Sequence, residues 1–218
     1  MQRAMVFIDH ENFSIALHNY YRKRAMEEAT AEALQQGLTP PLTAPYRVPR
    51  LDYNQLPKAI TGLLSSEHAL LKTFLFAPKP DEFLMRDVRR QGAYNWITGL
   101  KNQNYFTVVE GRHSARPVGE HTYATMDIND PTTYYVEEKG TDINVAAHLI
   151  TKGFMNAYDT AIIVSGDTDY IPVMDILNTM GRTVVIAGVV GQNLYSFKHH
   201  ADQQIMLDNA FFQNCLRE

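Results

Sequence analysis

The sequence predicts an α/β fold in which helices enclose a mainly parallel sheet. Short apolar runs alternate with longer amphipathic stretches along the chain, which is typical of strands joined by helical crossovers. Carboxylates follow several of these runs. In open α/β sheets, the residues that bind ligands lie at the carboxyl ends of the strands, which is where these carboxylates would stand. The length of 218 residues fits one large domain over residues 1–218, with insertions at about 25–50 and 111–133.

Composition narrows the class of protein. The formal net charge of −4 is unlike that of a histone or a polybasic membrane binder, but an acidic site can coexist with a local basic rim. The single Cys215 rules out an intrachain disulfide and fits a reducing compartment. The N-terminus lacks a signal-peptide pattern, and no apolar run is long enough to span a bilayer. We therefore expect a soluble, cytoplasmic protein without a membrane partner.

The first half of the chain begins with a compact apolar run that predicts a strand. Amphipathic or charged sequence then predicts helices, and repeated prolines predict an inserted loop. In chain order the predicted elements are a strand at Met5–Ile8, a helix at Glu11–Gln36, the loop at Gly37–Pro49, a helix at Leu51–Ser65, a strand at Leu70–Phe76, a helix at Pro80–Asn102 and a strand at Tyr105–Val109.

The second half opens with a polar stretch, Gly111–Thr133, which predicts a loop or an irregular hairpin before the extended run Tyr134–Glu138. Gly181 is expected to end the helix before the last central strand. The remaining predicted elements are a helix at Asp142–Tyr158, a strand at Ala161–Val164, a helix at Tyr170–Met180, a strand at Thr183–Ala187 and terminal helices at Gln192–His199 and Leu207–Leu216.

Four aspartates stand where predicted strands hand over to helices. Asp9 closes the first strand, Asp142 opens a helix after Lys139-Gly-Thr, and Asp167 and Asp169 follow the buried run ending at Val164. Each acid has an ordinary alternative role: Asp9 as an N-cap, Asp142 as a favourable charge at a helix start, and Asp169 as the likelier cap of the next helix.

Taken together, these acids are harder to explain as caps. Carboxylates gathered at one sheet edge would repel each other by several kcal/mol at an effective dielectric of about 20 unless a cation lay between them. Oxygen ligands favour Mg²⁺ or Mn²⁺ over zinc. The pattern thus indicates a metal-dependent phosphodiesterase, with one or two ions at the site.

At these residues the chain resembles the NYN domain family, the LabA-like branch of the PIN-like metal-dependent ribonucleases. The similarity extends from Met5 to about Leu207, and the lysine–glycine–x–aspartate motif followed by serine–glycine–aspartate–x–aspartate is specific in this order. The matching segments are Phe7–Phe13, Glu138–Asn144, Ile163–Tyr170, Gly181–Ile186, Leu194 and Ala201–Asp202.

The resemblance implies a PIN-like three-layer α/β/α sandwich and cleavage of RNA that depends on Mg²⁺ or Mn²⁺. It also implies roles for individual residues. His10 stands where the family often has a small residue, so it narrows the site or touches the substrate. The remaining matches are to functional residues of the family: Asp9, Asp142 and Asp167 match its metal-binding acids, Asn12 its polar helper and Asp169 an auxiliary acid.

The predicted reaction is hydrolysis of single-stranded RNA, with Asn12 and Ser165 orienting water or phosphate and Lys139 neutralising a carboxylate or touching the backbone. The main alternative is a catalytically silent module that binds RNA or protein. A phosphoacceptor receiver-like domain fits less well, since adjacent acids near the first strand and a lysine after the last central strand are lacking. The insertions could shape substrate choice or form a homodimer contact.

Overall fold

A computed structural model describes residues 1–217, which form a mixed seven-stranded sheet. Its strand order is β4-β3-β2-β1-β5-β6-β7, and every neighbouring pair is parallel except β3 and β4. The mainly parallel α/β fold predicted from the sequence is therefore confirmed. The strands are β1 (Gln2–Asp9), β2 (His68–Pro80), β3 (Phe106–Pro117), β4 (Tyr134–Lys139), β5 (Thr160–Val164), β6 (Thr183–Val189) and β7 (Gln203–Leu207).

Six α-helices and several short 3-10 turns connect these strands within residues 1–217. The helices are α1 (His10–Gln35), α2 (Leu56–Gly62), α3 (Val88–Gly99), α4 (Thr141–Phe154), α5 (Ile171–Thr179) and α6 (Asn209–Gln213). None of the helices in this described part of the chain is both long and apolar enough to traverse a membrane.

The central strand β1 is buried on both sides, as its continuous apolar run requires. Alternate side chains enter two different cores, because successive residues of a strand point to opposite faces. Val6 and Ile8 pack in a cluster with Phe13 of α1, whereas Phe7 packs in a second cluster with Leu149 of α4 and residues of α5. Helical side chains thus cover both faces of β1.

The prediction of a loop at Gly111–Thr133 is wrong for residues 111–117, which belong to strand β3. β3 continues as far as Pro117 and pairs antiparallel with β4, so the hairpin alternative describes this region better. Ala115 is buried in a small separate core with Leu84 and Tyr134, and its backbone N–H donates to Asp81 at 2.8 Å. Tertiary packing therefore extends a strand whose own sequence is largely polar.

The predictions for the C-terminal region are wrong in two places. The helix expected at Gln192–His199 is only a 3-10 turn at Tyr195–Phe197, and strand β7 was not predicted. β7 buries only Ile205 and Leu207 and leaves its other side chains exposed, because it lies at the edge of the sheet. So few apolar positions give a weak strand pattern.

Two predicted helices have different bounds in the structure. The segment Leu51–Ser65 is helical only over Leu56–Gly62. The stretch Pro80–Asn102 contains a 3-10 turn and then α3, which begins after Asp87 because this side chain accepts a hydrogen bond from the N–H of Arg89. An aspartate cap therefore starts α3 in the middle of the predicted helix.

Candidate metal centre

Asp9 lies at the carboxyl end of β1, next to the end of β5. The two strands are parallel, and Ile8 pairs with Val164, so Asp9 and Ser165 leave the sheet side by side. Asp9 is only 5% exposed. Its Oδ1 accepts a hydrogen bond from the N–H of Asn12 at 3.2 Å, which caps α1. The N-cap role and a place in the acidic cluster therefore coexist in one residue.

Asp142 reaches the same edge by a different route. β4 runs antiparallel to β3, so the chain returns to the carboxyl edge before α4 begins at Thr141. Gly140 turns the chain with a φ of 85°, a conformation that favours glycine. Gly111 of β3 lies so close to Thr141 that an added Cβ would approach the Thr141 backbone nitrogen to 3.0 Å. This contact fixes the start of the helix that carries Asp142.

Three predicted metal ligands come together in the structure. Asp9, Asp142 and Asp167 each offer a carboxylate oxygen, and these oxygens lie within 4.8 Å of one another. Asp9 is buried beneath the other two, since Asp142 is exposed and Asp167 half-buried. An all-carboxylate donor set that opens to solvent on one side fits a hard divalent cation that retains water ligands.

Tyr170 joins two of these acids. Its hydroxyl lies 3.0 Å from Asp9 Oδ2 and 3.0 Å from Asp142 Oδ1. Burial, followed by the nearby carboxylates, raises the pKa of Tyr170 well above its usual value, so the phenol stays protonated as a donor. The sequence reasoning missed this role, although Tyr170 directly follows Asp169 in the quoted motif, because a tyrosine there also fits core packing.

The Asn12 side chain is held by two donors. Its carbonyl oxygen accepts hydrogen bonds from the N–H of Gly166 at 2.8 Å and from Gln192 Nε2 at 2.9 Å. Gly166 leaves room for this arrangement, since an added Cβ would lie 2.5 Å from Gln192 Nε2. Asn12 is thus fixed beside the acids, whereas Gln192 follows β6 and carried no sequence signal.

Ser165 connects Asp9 to Asp167. Its hydroxyl donates to Asp9 Oδ2 at 3.2 Å and accepts from the N–H of Asp167 at 3.1 Å. Asp167 then accepts from the N–H of Asp169 at 3.0 Å and caps the following 3-10 turn. The expectation that Asp169 is the capping acid is therefore wrong. Asp169 is exposed and lies outside the group of three.

Two further predicted residues lie near the acids with other partners. Lys139 Nζ is 2.8 Å from Glu137 Oε1, so the carboxylate it neutralises is Glu137. His10 Nδ1 lies 3.3 Å from the Tyr53 hydroxyl, and burial lowers the pKa of His10 to about 4. The neutral His10 ring borders a cavity of about 500 Å³ that Tyr53 and Trp96 also line.

Some of the basic residues that could form a local rim are engaged in surface ion pairs, which contribute little to stability individually. The pairs are Lys23–Glu27, Arg24–Glu28, Arg90–Asp87 and Arg116–Glu137.

Removing the Asp9 charge is expected to stabilise the metal-free protein. Burial, supplemented by the Asp142 charge, raises the pKa of Asp9. The ionised form of Asp9 is therefore less favourable in the folded chain than in the unfolded chain. We expect Asp9→Asn to raise the free energy of unfolding by about 1 kcal/mol at pH 7, since this is the scale of such repulsion when screened.

The pH dependence follows from the direction of this shift. An acid whose pKa rises on folding lowers stability as the pH increases from its unfolded pKa to its folded pKa. The gain from Asp9→Asn should therefore shrink as the pH is lowered toward 4. Thermal denaturation of Asp9→Asn and wild type in EDTA, at pH 7 and near pH 4, measures the difference in stability. A variant less stable than wild type at pH 7 would contradict the prediction.

The structure thus combines a mainly parallel α/β sheet with three carboxylates at the carboxyl edge of its central strands. The chain belongs to the NYN domain family, whose family model matches residues 3–208. NYN domains form a PIN-like nuclease family, and its members generally use divalent metals. The resemblance to the NYN domain family is confirmed.

Comparisons with curated proteins and with solved structures give no further information about function. No curated protein matches the chain. A crystal structure of a protein of unknown function from Vibrio parahaemolyticus is 14% identical, covers 99% of this chain and 96% of that chain, and has a TM-score of 0.48. A likeness of that size carries no argument about function.

Proposed function

We propose that this protein is a ribonuclease that hydrolyses phosphodiester bonds of single-stranded RNA and depends on Mg²⁺ or Mn²⁺. The observation that carries the proposal is the convergence of Asp9, Asp142 and Asp167, whose oxygens lie within 4.8 Å of one another. Carboxylates so close together repel each other as anions, and a divalent cation held between them removes that repulsion. Membership of the NYN domain family supports nuclease chemistry.

The acids would hold the ion, with Asp9 at the base and Asp142 and Asp167 toward solvent. When bound, a divalent ion activates water as a Lewis acid and neutralises charge on a phosphodiester. Ser165 keeps Asp9 and Asp167 in position through its two hydrogen bonds. Asn12 would use its amide N–H groups toward water or phosphate, because its carbonyl oxygen is already occupied.

Other residues would act around this centre. Asp169 would serve as an auxiliary acid from its exposed position two residues after Asp167. Lys139 would meet the RNA backbone beside its partner Glu137. His10 would line the path of the strand, where Tyr53 and Trp96 surround it in a cavity of about 500 Å³. Tyr53 is buried, but Trp96 is 36% exposed. An exposed aromatic face can stack an unpaired base, which supports a single-stranded substrate.

The same proposal includes four further points. The protein belongs to the LabA-like branch and has the three-layer PIN-like sandwich. It is cytoplasmic, and it forms a homodimer through the insertions at about 25–50 and 111–133. They rest on the motif resemblance and on the pattern of the sequence. Helical side chains on both faces of β1 support the layered arrangement.

Cleavage of end-labelled oligonucleotides tests the proposed function. Protein treated with EDTA would be incubated with single-stranded RNA, double-stranded RNA and single-stranded DNA while Mg²⁺ or Mn²⁺ is titrated. We expect cleavage of single-stranded RNA that requires added ion. Binding of RNA without cleavage at any ion concentration would instead identify a catalytically silent NYN module.

A further inference from the structure

A second group of metal-binding side chains lies next to the three aspartates. Glu11, His113 and Glu138 each offer one ligand atom, and these atoms lie within 4.8 Å of one another. Glu11 stands in the first turn of α1, and His113 of β3 pairs directly with Glu138 of β4. Three separate elements therefore converge on one point, and the function proposed above uses none of these residues.

The charges in this group are not balanced by the protein alone. Glu11 Oε2 lies 3.3 Å from His113 Nε2, but the Glu138 carboxylate faces the same point. Glu138 is also close enough to Asp142 to feel its charge. Lys139, the adjacent cation in the sequence, pairs with Glu137 instead. Either a proton or a cation must separate the two carboxylates of Glu11 and Glu138.

Thr141 gives an independent sign of a missing partner. Its side chain lies beside Glu138 and is only 1% exposed. The hydroxyl is close enough to the Glu138 carboxylate to favour its charge, but it meets full hydrogen-bond geometry neither with that group nor with any other of residues 1–217. Buried hydroxyl groups normally have a partner, and an orphaned one often marks an ion or a water that completes the site. A hydrated cation held by Glu138 would supply such a partner.

The group is also accessible from solvent. Glu11 and His113 line a cavity of about 290 Å³ that extends past Arg90 and Tyr94. The His113 side chain is 16% exposed and the Glu11 side chain 36% exposed. An ion can therefore reach the ligand atoms without unfolding any element.

We propose that Glu11, His113 and Glu138 form a second divalent-cation site, separate from the aspartate group. Its imidazole nitrogen makes it a mixed nitrogen and oxygen site, which suits Mn²⁺ better than Mg²⁺. The proposal does not rest on nuclease activity, because it concerns ion binding alone. A proton shared between Glu11 and Glu138 is the competing state, and it predicts that no ion binds.

Mn²⁺ binding to a protein with a weakened aspartate group tests this site. In the double variant Asp142→Asn/Asp167→Asn, pulsed electron paramagnetic resonance should detect bound Mn²⁺ with a ¹⁴N signal from imidazole. Adding His113→Gln should remove the ¹⁴N signal and weaken binding by about tenfold or more, the scale of effects that even indirect ligand partners have. His121→Gln, at an exposed histidine outside the group, is the matched control.

Each outcome decides the proposal. No Mn²⁺ binding by the double variant, or a ¹⁴N signal that survives His113→Gln, would overturn it. Circular dichroism checks that each variant is folded. Should His113→Gln fail to fold, Glu138→Gln at an exposed position must weaken binding while the ¹⁴N signal remains. RNA cleavage by the wild type does not enter this test, so the two proposals can fail separately.

Discussion

Replacing Asp167 by asparagine is expected to lower the rate of RNA cleavage by about a thousandfold or more. A bound ion contributes several kcal/mol to catalysis, and about 4 kcal/mol corresponds to this factor. Asparagine can still accept the hydrogen bond from the N–H of Asp169 that caps the 3-10 turn, so the fold should be retained. Single-turnover cleavage of labelled single-stranded RNA at saturating Mn²⁺ measures the loss.

Asp175→Asn provides the matched control for this experiment. Asp175 is an exposed residue of α5 whose contact is His200, at 2.6 Å, so the same chemical change there should leave cleavage unaffected. Asp169→Asn should cause a smaller loss than Asp167→Asn, since Asp169 lies outside the group of three. Full cleavage by Asp167→Asn would refute the assigned metal role.

Gly111→Ala is expected to destabilise the fold and disturb the acidic centre together. The new Cβ would overlap the Thr141 hydroxyl oxygen and would lie 3.0 Å from the Thr141 backbone nitrogen and 3.2 Å from its Cα. Rotation of the Thr141 side chain alone would not remove the backbone contacts, so the start of α4 would have to move with Asp142. Overpacking of this kind costs about 1–3 kcal/mol. At about 2–4 °C per kcal/mol for a chain of this size, thermal denaturation resolves the change.

Gly92→Ala is the corresponding control. Gly92 lies within α3, and an added Cβ would have no neighbour within 4 Å. Alanine there should stabilise the helix by about 0.5–1 kcal/mol. Equal melting temperatures for Gly111→Ala and Gly92→Ala, with unchanged Mn²⁺ affinity, would show that the contact between β3 and α4 is not rigid.

The acids of the centre could be predicted because they follow apolar runs in the sequence. Once β1 and β5 are recognised as buried parallel strands, their carboxyl ends must lie at one edge, and Asp9 and Asp167 must meet there. The motif containing Asp142 added the third ligand through family resemblance. These inferences depend on local patterns and on a general rule of sheet topology.

The supporting contacts could not be predicted in the same way. Gln192 reaches Asn12 across 180 positions of sequence, and Glu11 meets His113 across 102. Such contacts depend on the register of β3 and β4 and on where loops pack, which no local pattern encodes. β7 was missed for a related reason, because neighbouring strands rather than its own composition define an edge strand.

Tyr170 has a further consequence for the resting centre. A phenol carries one hydrogen to donate, yet two carboxylates stand 3.0 Å from its oxygen. At any instant one of Asp9 and Asp142 goes without this donor, and the choice can alternate by rotation of a single O–H bond. An incoming ion would end that competition, since the carboxylate left without the hydrogen would gain a positive partner of its own.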